Sequence, residues 1–120
     1  MQDIETINTF AEYQVEQVRT AVEQEETHWR LAVAGLGIAG EAGEVADLIK
    51  KIVAHGHSLP GCLDQLEKEL GDVQWYISEV CSALDIPLSR IARKNIAKLR
   101  ERYPDGFDPQ RSQVRRLGDL

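Results

Sequence analysis

Proline is absent from the first 59 residues of this 120-residue chain; all four prolines come later. Nothing in the first half is therefore a strong helix breaker. Cysteine is nearly absent too. Cys62 and Cys81 show neither a CxxC nor a Cys/His spacing suited to a metal, so they read as free, mostly buried thiols of a reducing compartment. No apolar run approaches membrane length, and Met1 to Thr9 is polar and acidic. Neither a membrane span nor a signal peptide is expected, and the chain reads as cytoplasmic. A basic surplus is also missing. The formal net charge of −6 argues against a general nucleic-acid binder. Missing as well are a GxGxxG or GxxxxGK[ST] loop in a βαβ setting, any convincing strand, any repeat and any low-complexity segment.

What remains is helical periodicity in a chain long enough for one domain but not two. Ile4, Ile7, Ala11, Val15, Val18 and Val22 recur at helical steps, which predicts a first amphipathic helix over about Asp3 to Gln24, acidic outside and suited to packing or a dimer contact. Glu23 to Thr27 reads as a polar break. A second helix is expected from about His28–Leu31 to Ala54, strongly apolar despite Gly35, Gly37, Gly40 and Gly43. Glycine is costly in a helix, so these four suggest close approach of another helix or a ligand. His55 to Gly61 reads as a loop and Leu63 to Leu84 as a third helix, broken at Asp85-Ile86-Pro87. A fourth helix is expected over Arg90 to Arg102 with Ser89 as its cap, ending in the turn Pro104 to Pro109. The fold class is all-α with four main helices, a core of about residues 3–107 and a tail or arm at 108–120.

Two pairs of acids stand out on those helices. Glu41 and Glu44 are spaced i, i+3 on the second, and Glu69 and Asp72 are spaced likewise on the third. Like charges one turn apart on apolar helices repel, so a sequence holding two such pairs suggests a cation between them. Glu41, Glu44, Leu48 and Lys51 lie within about 80° of one another at 100° per residue. Glu69, Asp72, Tyr76 and Glu79 share a face of the third helix, and Ile91, Asn95, Lys98 and Arg102 share one of the fourth. Converging, these faces would form a pocket with an acidic floor and a basic wall, suited to a metal-bound polyphosphate. The late clustering of basic residues between Arg90 and Arg116 agrees with an anionic ligand. Oxygen-only donors suit Mg²⁺, with Mn²⁺ as a substitute, and two or more ions could share a phosphate. The lack of Glu-x-x-His argues against a di-iron bundle.

Residues 35–47 (GLGIAGEAGEVAD), 69–73 (ELGDV) and 94–107 (KNIAKLRERYPDGF) closely resemble the MazG-like nucleotide pyrophosphohydrolases. That family is marked by an ExxE and an ExxD pair separated by a spacer, here residues 45–68. The resemblance covers about residues 31–107. It implies an all-α NTP pyrophosphatase bundle completed by oligomerisation as a homodimer or a homotetramer of two dimers, with sites near subunit interfaces. It also implies hydrolysis of a nucleoside triphosphate, usually a deoxy one, to the monophosphate and pyrophosphate. By resemblance Glu41, Glu44, Glu69 and Asp72 are the catalytic, Mg²⁺-binding set, and a water activated there attacks the α-phosphorus. Asn95, Lys98 and the segment from Arg102 to Phe107 match the region that grips phosphates and sugar. Base preference stays open, the family's range running from pyrimidine-selective members to broad or guanine-preferring ones.

Each residue also has a plainer reading. Helix carboxylates are usually solvated, but two matched pairs on buried-looking helices favour ligation. Asp47 serves equally well as an outer ligand or a surface charge, and either Glu41 or Glu44 could act as general base. Lys51 could meet a phosphate although surface lysine is commoner, and Tyr76 could donate to one although core tyrosine is commoner. Asn95 has the better odds, since asparagine is unfavourable within a helix. Lys98 and Arg102 share its stripe. Trp29, at a loop-to-helix entry, is favoured over Trp75 to stack on a base. Phe10 and Tyr13 could border a base pocket across a dimer. His55 and His57 are left out of the metal set. The alternative to an enzyme is a non-catalytic helical module that binds nucleotide or a partner and uses the acids as a structural metal site.

Overall fold

The computed structural model of the chain describes residues 1–22 and 25–114. The described residues form a 3-10 turn at Ile4–Thr6 followed by five helices: α1 Phe10–Val18, α2 Thr27–Ala54, α3 Leu59–Ala83, α4 Leu88–Arg102 and the short α5 Pro109–Gln113. No strand occurs among them, and the all-α, four-main-helix reading holds. Among the described residues, no helix is long and apolar enough to cross a membrane.

Most helix starts follow local capping chemistry. The Thr9 hydroxyl accepts from Glu12 N at 3.1 Å, so α1 begins at Phe10. The long first helix expected from Asp3 is thereby divided, because Asp3 caps the separate turn at Ile4–Thr6. Apolar periodicity runs through both pieces and hides the break. The expected end at Gln24 and the polar break at Glu23 and Gln24 lie outside the described residues, and α1 itself stops at Val18. Glu26 caps α2 by accepting from His28 N and Trp29 N. The α3 helix starts four residues before the expected Leu63. Ser58 accepts from Gly61 N, and Pro60 sits in the first turn, where its missing N–H costs nothing.

Two connections are fixed by backbone geometry. His55 N and His57 N both donate to the Lys51 carbonyl at 3.1 Å, with Gly56 between them at φ +72°. At the far end of α3, Ile86 N donates to Cys81 O at 2.8 Å and Asp85 N to Ser82 O at 3.2 Å, a Schellman ending whose left-handed residue is Asp85 at φ 55°. The next helix, α4, is not capped by Ser89. Its first N–H, on Leu88, donates 2.7 Å to Gln14 Oε1, while Gln14 Nε2 donates to Ile86 O. The cap comes from α1, a partner remote in sequence. Beyond α4, Asp108 caps α5 inside the segment expected as a tail, of which residues 115–120 lie outside the described residues.

The central unit is the antiparallel pair α2–α3, the most extensive helix contact among the described residues. Its register is plain from the side chains: Arg30 meets Glu79, Gly37 meets Tyr76, and Glu41 meets Glu69 and Asp72. A methyl group at Gly37 would collide with the Tyr76 ring, so this glycine realises the close approach read from the sequence. Gly35, Gly40 and Gly43 face open space instead.

The interior of one chain is small and partly polar. Ala34, Leu48, Cys81, Ala83 and Leu88 are buried beside Ser78, Gln17 and Glu79. Glu79, expected on the face of Glu69 and Asp72, belongs to this interior. It takes two bonds from Arg30, Nε at 3.1 Å and Nη2 at 2.9 Å, and one from Gln17 Nε2 at 3.1 Å. Ser78 and Ser82 donate to Gln17 Oε1. Conversely, Leu36 is 76% and Val53 80% exposed. The radius of gyration is 17.3 Å, against about 14 Å for a compact chain of this length.

Candidate metal centre

Helical register on α2 and α3 brings three of the four sequence-marked acids together. Carboxylate oxygens of Glu41, Glu69 and Asp72 all lie within 4.8 Å of one another. Glu41 and Glu69 are half-buried between the helices and Asp72 is exposed at their edge. Glu44 stands apart from this trio, exposed on α2. One turn of helix places it about 60° round the axis from Glu41, toward the open side of the pair. It remains in electrostatic reach, because its charge helps to raise the Glu41 pKa.

Crowding is visible in that carboxyl group. Glu41 is held above the ordinary carboxylate range, first by desolvation, then by the charge of Asp72 and a side-chain hydrogen bond with Glu69, with smaller contributions from Glu69 and Glu44 charges. Like charges this close disfavour one another's ionised forms, and a cation between them would relieve that. All donors are hard oxygens with no histidine or thiolate among them, which suits a divalent cation of the Mg²⁺ type. The residues present therefore fit such an ion.

The remaining sequence-marked residues divide by position. Lys51 Nζ is 2.9 Å from Asp47 Oδ2, and Lys50 Nζ is 3.0 Å from Asp47 Oδ1. These lysines hold the Asp47 carboxyl below its usual range, Lys51 contributing most. Asp47 is thus a lysine-paired group one turn beyond Glu44. Tyr76, one turn beyond Asp72, packs its ring on Gly37 and lies edge-on to Trp75 at 5.1 Å. Trp29 is 46% exposed and, with Trp75, Tyr76, Val33 and Arg30, lines a cavity of about 120 Å³. The Trp75 indole is anchored by donating 2.7 Å to Thr20 Oγ1.

From α1, Tyr13 reaches toward the acids. Its phenol is raised above the usual range, by burial first and then by the charge of Asp72. With Phe10, Gln74 and Ser89 it lines an open cavity of about 660 Å³.

The α4 stripe does not join the trio within the chain. That helix packs on α1 and more sparingly on α3, not along α2. Asn95 and Lys98 are exposed on it, and among the described residues no ion pair links Lys98 to Glu41, Glu69 or Asp72. Arg102 is half-buried with its guanidinium 5.9 Å from the Tyr103 ring centre.

Sequence reading missed the group that fixes this geometry: Arg30, Gln14 and Gln17. A signal was present, because Ser78, Glu79 and Ser82 cluster in an otherwise apolar half of α3. The partners of that cluster lie on other helices, where spacing rules are blind.

Comparison with known proteins gives the family. The 38% identical "Gene 37 protein" of Mycobacterium phage L5 aligns over 78 residues, 63% of this chain and 68% of that protein. No solved structure gives a significant match. The family model described as "MazG nucleotide pyrophosphohydrolase domain" matches residues 33–107, a span that holds all four acids, both α2–α3 faces and the α4 stripe. The chain belongs to the MazG nucleotide pyrophosphohydrolase family.

Proposed function

We propose that this chain is a Mg²⁺-dependent nucleoside triphosphate pyrophosphohydrolase that cleaves at the α-phosphorus to give the monophosphate and pyrophosphate. The observation that carries the reading is the convergence of Glu41, Glu69 and Asp72 within 4.8 Å on the antiparallel α2–α3 pair. Glu41, Glu44, Glu69 and Asp72 would hold the divalent ions, two or more per site, with Mn²⁺ as a substitute. When bound, such ions neutralise the polyphosphate and make a water nucleophilic near neutral pH.

The protein groups supply position and charge. Glu69 and Asp72 project from one face of α3, and the Gly37–Tyr76 contact fixes that face against α2. Glu44, on the open side, is placed to take a proton from the attacking water or to complete the ligand set. Lys51 lies two turns past Glu44 on the same face and offers its charge to the pyrophosphate, in exchange with Asp47. Asn95, Lys98 and Arg102 bind the phosphates and sugar, and Tyr76 contributes a hydroxyl. The Trp29–Trp75–Tyr76 cavity, on the side of α3 beyond Asp72, provides aromatic faces for the base. The exposed Leu36 and Val53 and the large radius of gyration support a homodimer or a dimer of dimers.

The test is product analysis. The eight common ribo- and deoxyribonucleoside triphosphates are incubated with the protein and Mg²⁺, and phosphate products are separated. Monophosphate plus pyrophosphate is expected, with base preference read from the same panel. Orthophosphate as first product would move the cut to the γ-phosphorus. Binding of every nucleotide without turnover would favour a non-catalytic module.

A further inference from the structure

We propose that the Trp29–Trp75–Tyr76 cavity admits a single-ring base and excludes a fused two-ring one, so that the chain acts on pyrimidine rather than purine nucleotides. This rests on the pyrophosphohydrolase reading and its placing of the base here, and adds the substrate class.

The cavity is small, about 120 Å³. A protein cavity of about 150 Å³ is filled by benzene, one six-membered ring. A pyrimidine is one such ring with small groups on its edge, and it fits with that edge at the mouth. A purine carries a second, fused ring and has to push a wall aside.

The walls are pinned. Trp75 Nε1 donates 2.7 Å to Thr20 Oγ1, and that hydroxyl donates 2.7 Å to the Gln17 carbonyl. Gln17 is only 3% exposed; its amide donates to Glu79 and accepts from Ser78 and Ser82. The indole is therefore tied, through Thr20, to the buried polar interior. Tyr76 lies edge-on to Trp75 at 5.1 Å, and its ring occupies the space that Gly37 leaves. On the buried side stand Ala34, with no exposure, and the Arg30–Glu79 pair, joined by two hydrogen bonds. Because those two charges bind each other, the cavity measures ring size more than the hydrogen-bonding edge of a base. The exposed side is formed by Trp29, Val22 and Val33. An outward swing of Trp29 would make room but give up the face on which the base stacks. A two-ring base thus costs either a displaced, anchored ring or a lost stacking contact.

Both tryptophans of the chain line this cavity, so intrinsic fluorescence reports on it. The full chain is titrated in chelator with dCTP, dTTP, dATP and dGTP in turn. Both pyrimidines are expected to perturb the emission with a Kd at least about tenfold below that of either purine. Purine binding of equal or greater strength overturns the proposal, and so does an emission that no pyrimidine perturbs. In Mg²⁺ the same order is expected in kcat/KM. Thr20→Val removes the tether of Trp75, and should narrow the gap between the two classes while leaving pyrimidine turnover near wild type. Val33→Ala widens the exposed side without touching the tether and should narrow the gap as well. A gap unchanged in both variants overturns the proposal. Hydrolysis of purines and pyrimidines alike removes it while the pyrophosphohydrolase reading stands. If no nucleotide is hydrolysed, that reading fails, and the titration in chelator still decides what the cavity admits.

Discussion

The α2–α3 pair treats its carboxylates in opposite ways along its length. At one end Glu79 is buried and matched by two Arg30 nitrogens and the Gln17 amide. Two turns away Glu41, Glu69 and Asp72 crowd together, and the nearest lysines are spent on Asp47. The first arrangement is complete within the chain and holds α1, α2 and α3 in register. The second is a crowded set of carboxylates farther along the same pair. Charge pairing, more than burial alone, distinguishes the two ends.

Breaking the complete end should cost the most stability. Glu79→Ala leaves the Arg30 charge in a site that is nearly closed, and a loss of about 3–5 kcal/mol is expected in denaturant unfolding at fixed protein concentration. Substitution in the crowded end should do the reverse. Glu41→Gln or Asp72→Asn is expected to lower kcat/KM by more than ~100-fold, or about 2.7 kcal/mol of transition-state stabilisation, while the helical circular dichroism is unchanged. Turnover within tenfold of wild type in both variants would remove the trio from the chemistry.

The glycines sharpen the same contrast on a smaller scale. Gly37→Ala forces the Tyr76 ring out of its seat and should cost about 1–3 kcal/mol. Gly40→Ala meets nothing within the chain; in conditions where the chain is monomeric it should gain up to about 1 kcal/mol from helix propensity. Equal effects of the two substitutions on the monomer would contradict the packing described.

The smallest effect is a pH dependence at the α2 start. Glu26 is held below the ordinary carboxylate range chiefly by the Trp29 N–H it accepts from. A folded pKa below the unfolded one adds stability above the unfolded value and loses it as pH falls through the folded one. The unfolding midpoint of wild type should therefore exceed that of Glu26→Gln near neutrality and converge with it as the solution is acidified below about pH 4.

Much of this was legible in the residues, for local reasons. The acid pairs could be read because i, i+3 spacing has a fixed meaning on a helix, and α2 and α3 are long and strongly apolar. Helix order was legible from the same periodicity. The misses came where the decisive partner is remote or where a local signal has two meanings. Ser89 was the nearby capping candidate, but Gln14 of α1 caps α4. Pro60 reads as a loop residue and also suits a first helical turn, which is where it stands. Thr9 restarts a helix without interrupting the apolar pattern. Glu79 fits the spacing of the acidic face and lies on it, but two turns beyond Asp72 the antiparallel register brings that face to Arg30 near the start of α2. The shared face of Asn95 and Lys98 was readable, but which surface it meets depends on how α4 leaves the bundle.

The most direct test of the contrast between the two ends is thermal unfolding in chelator and then in excess Mg²⁺, for wild type and Glu41→Gln side by side. Wild type should rise in Tm on adding Mg²⁺, as a ligand of the folded state requires. Glu41→Gln, relieved of one crowded charge, should match or exceed wild type in chelator and respond little to the ion. An unchanged wild-type Tm in Mg²⁺, together with a Glu41→Gln chain less stable than wild type in chelator, would contradict the account.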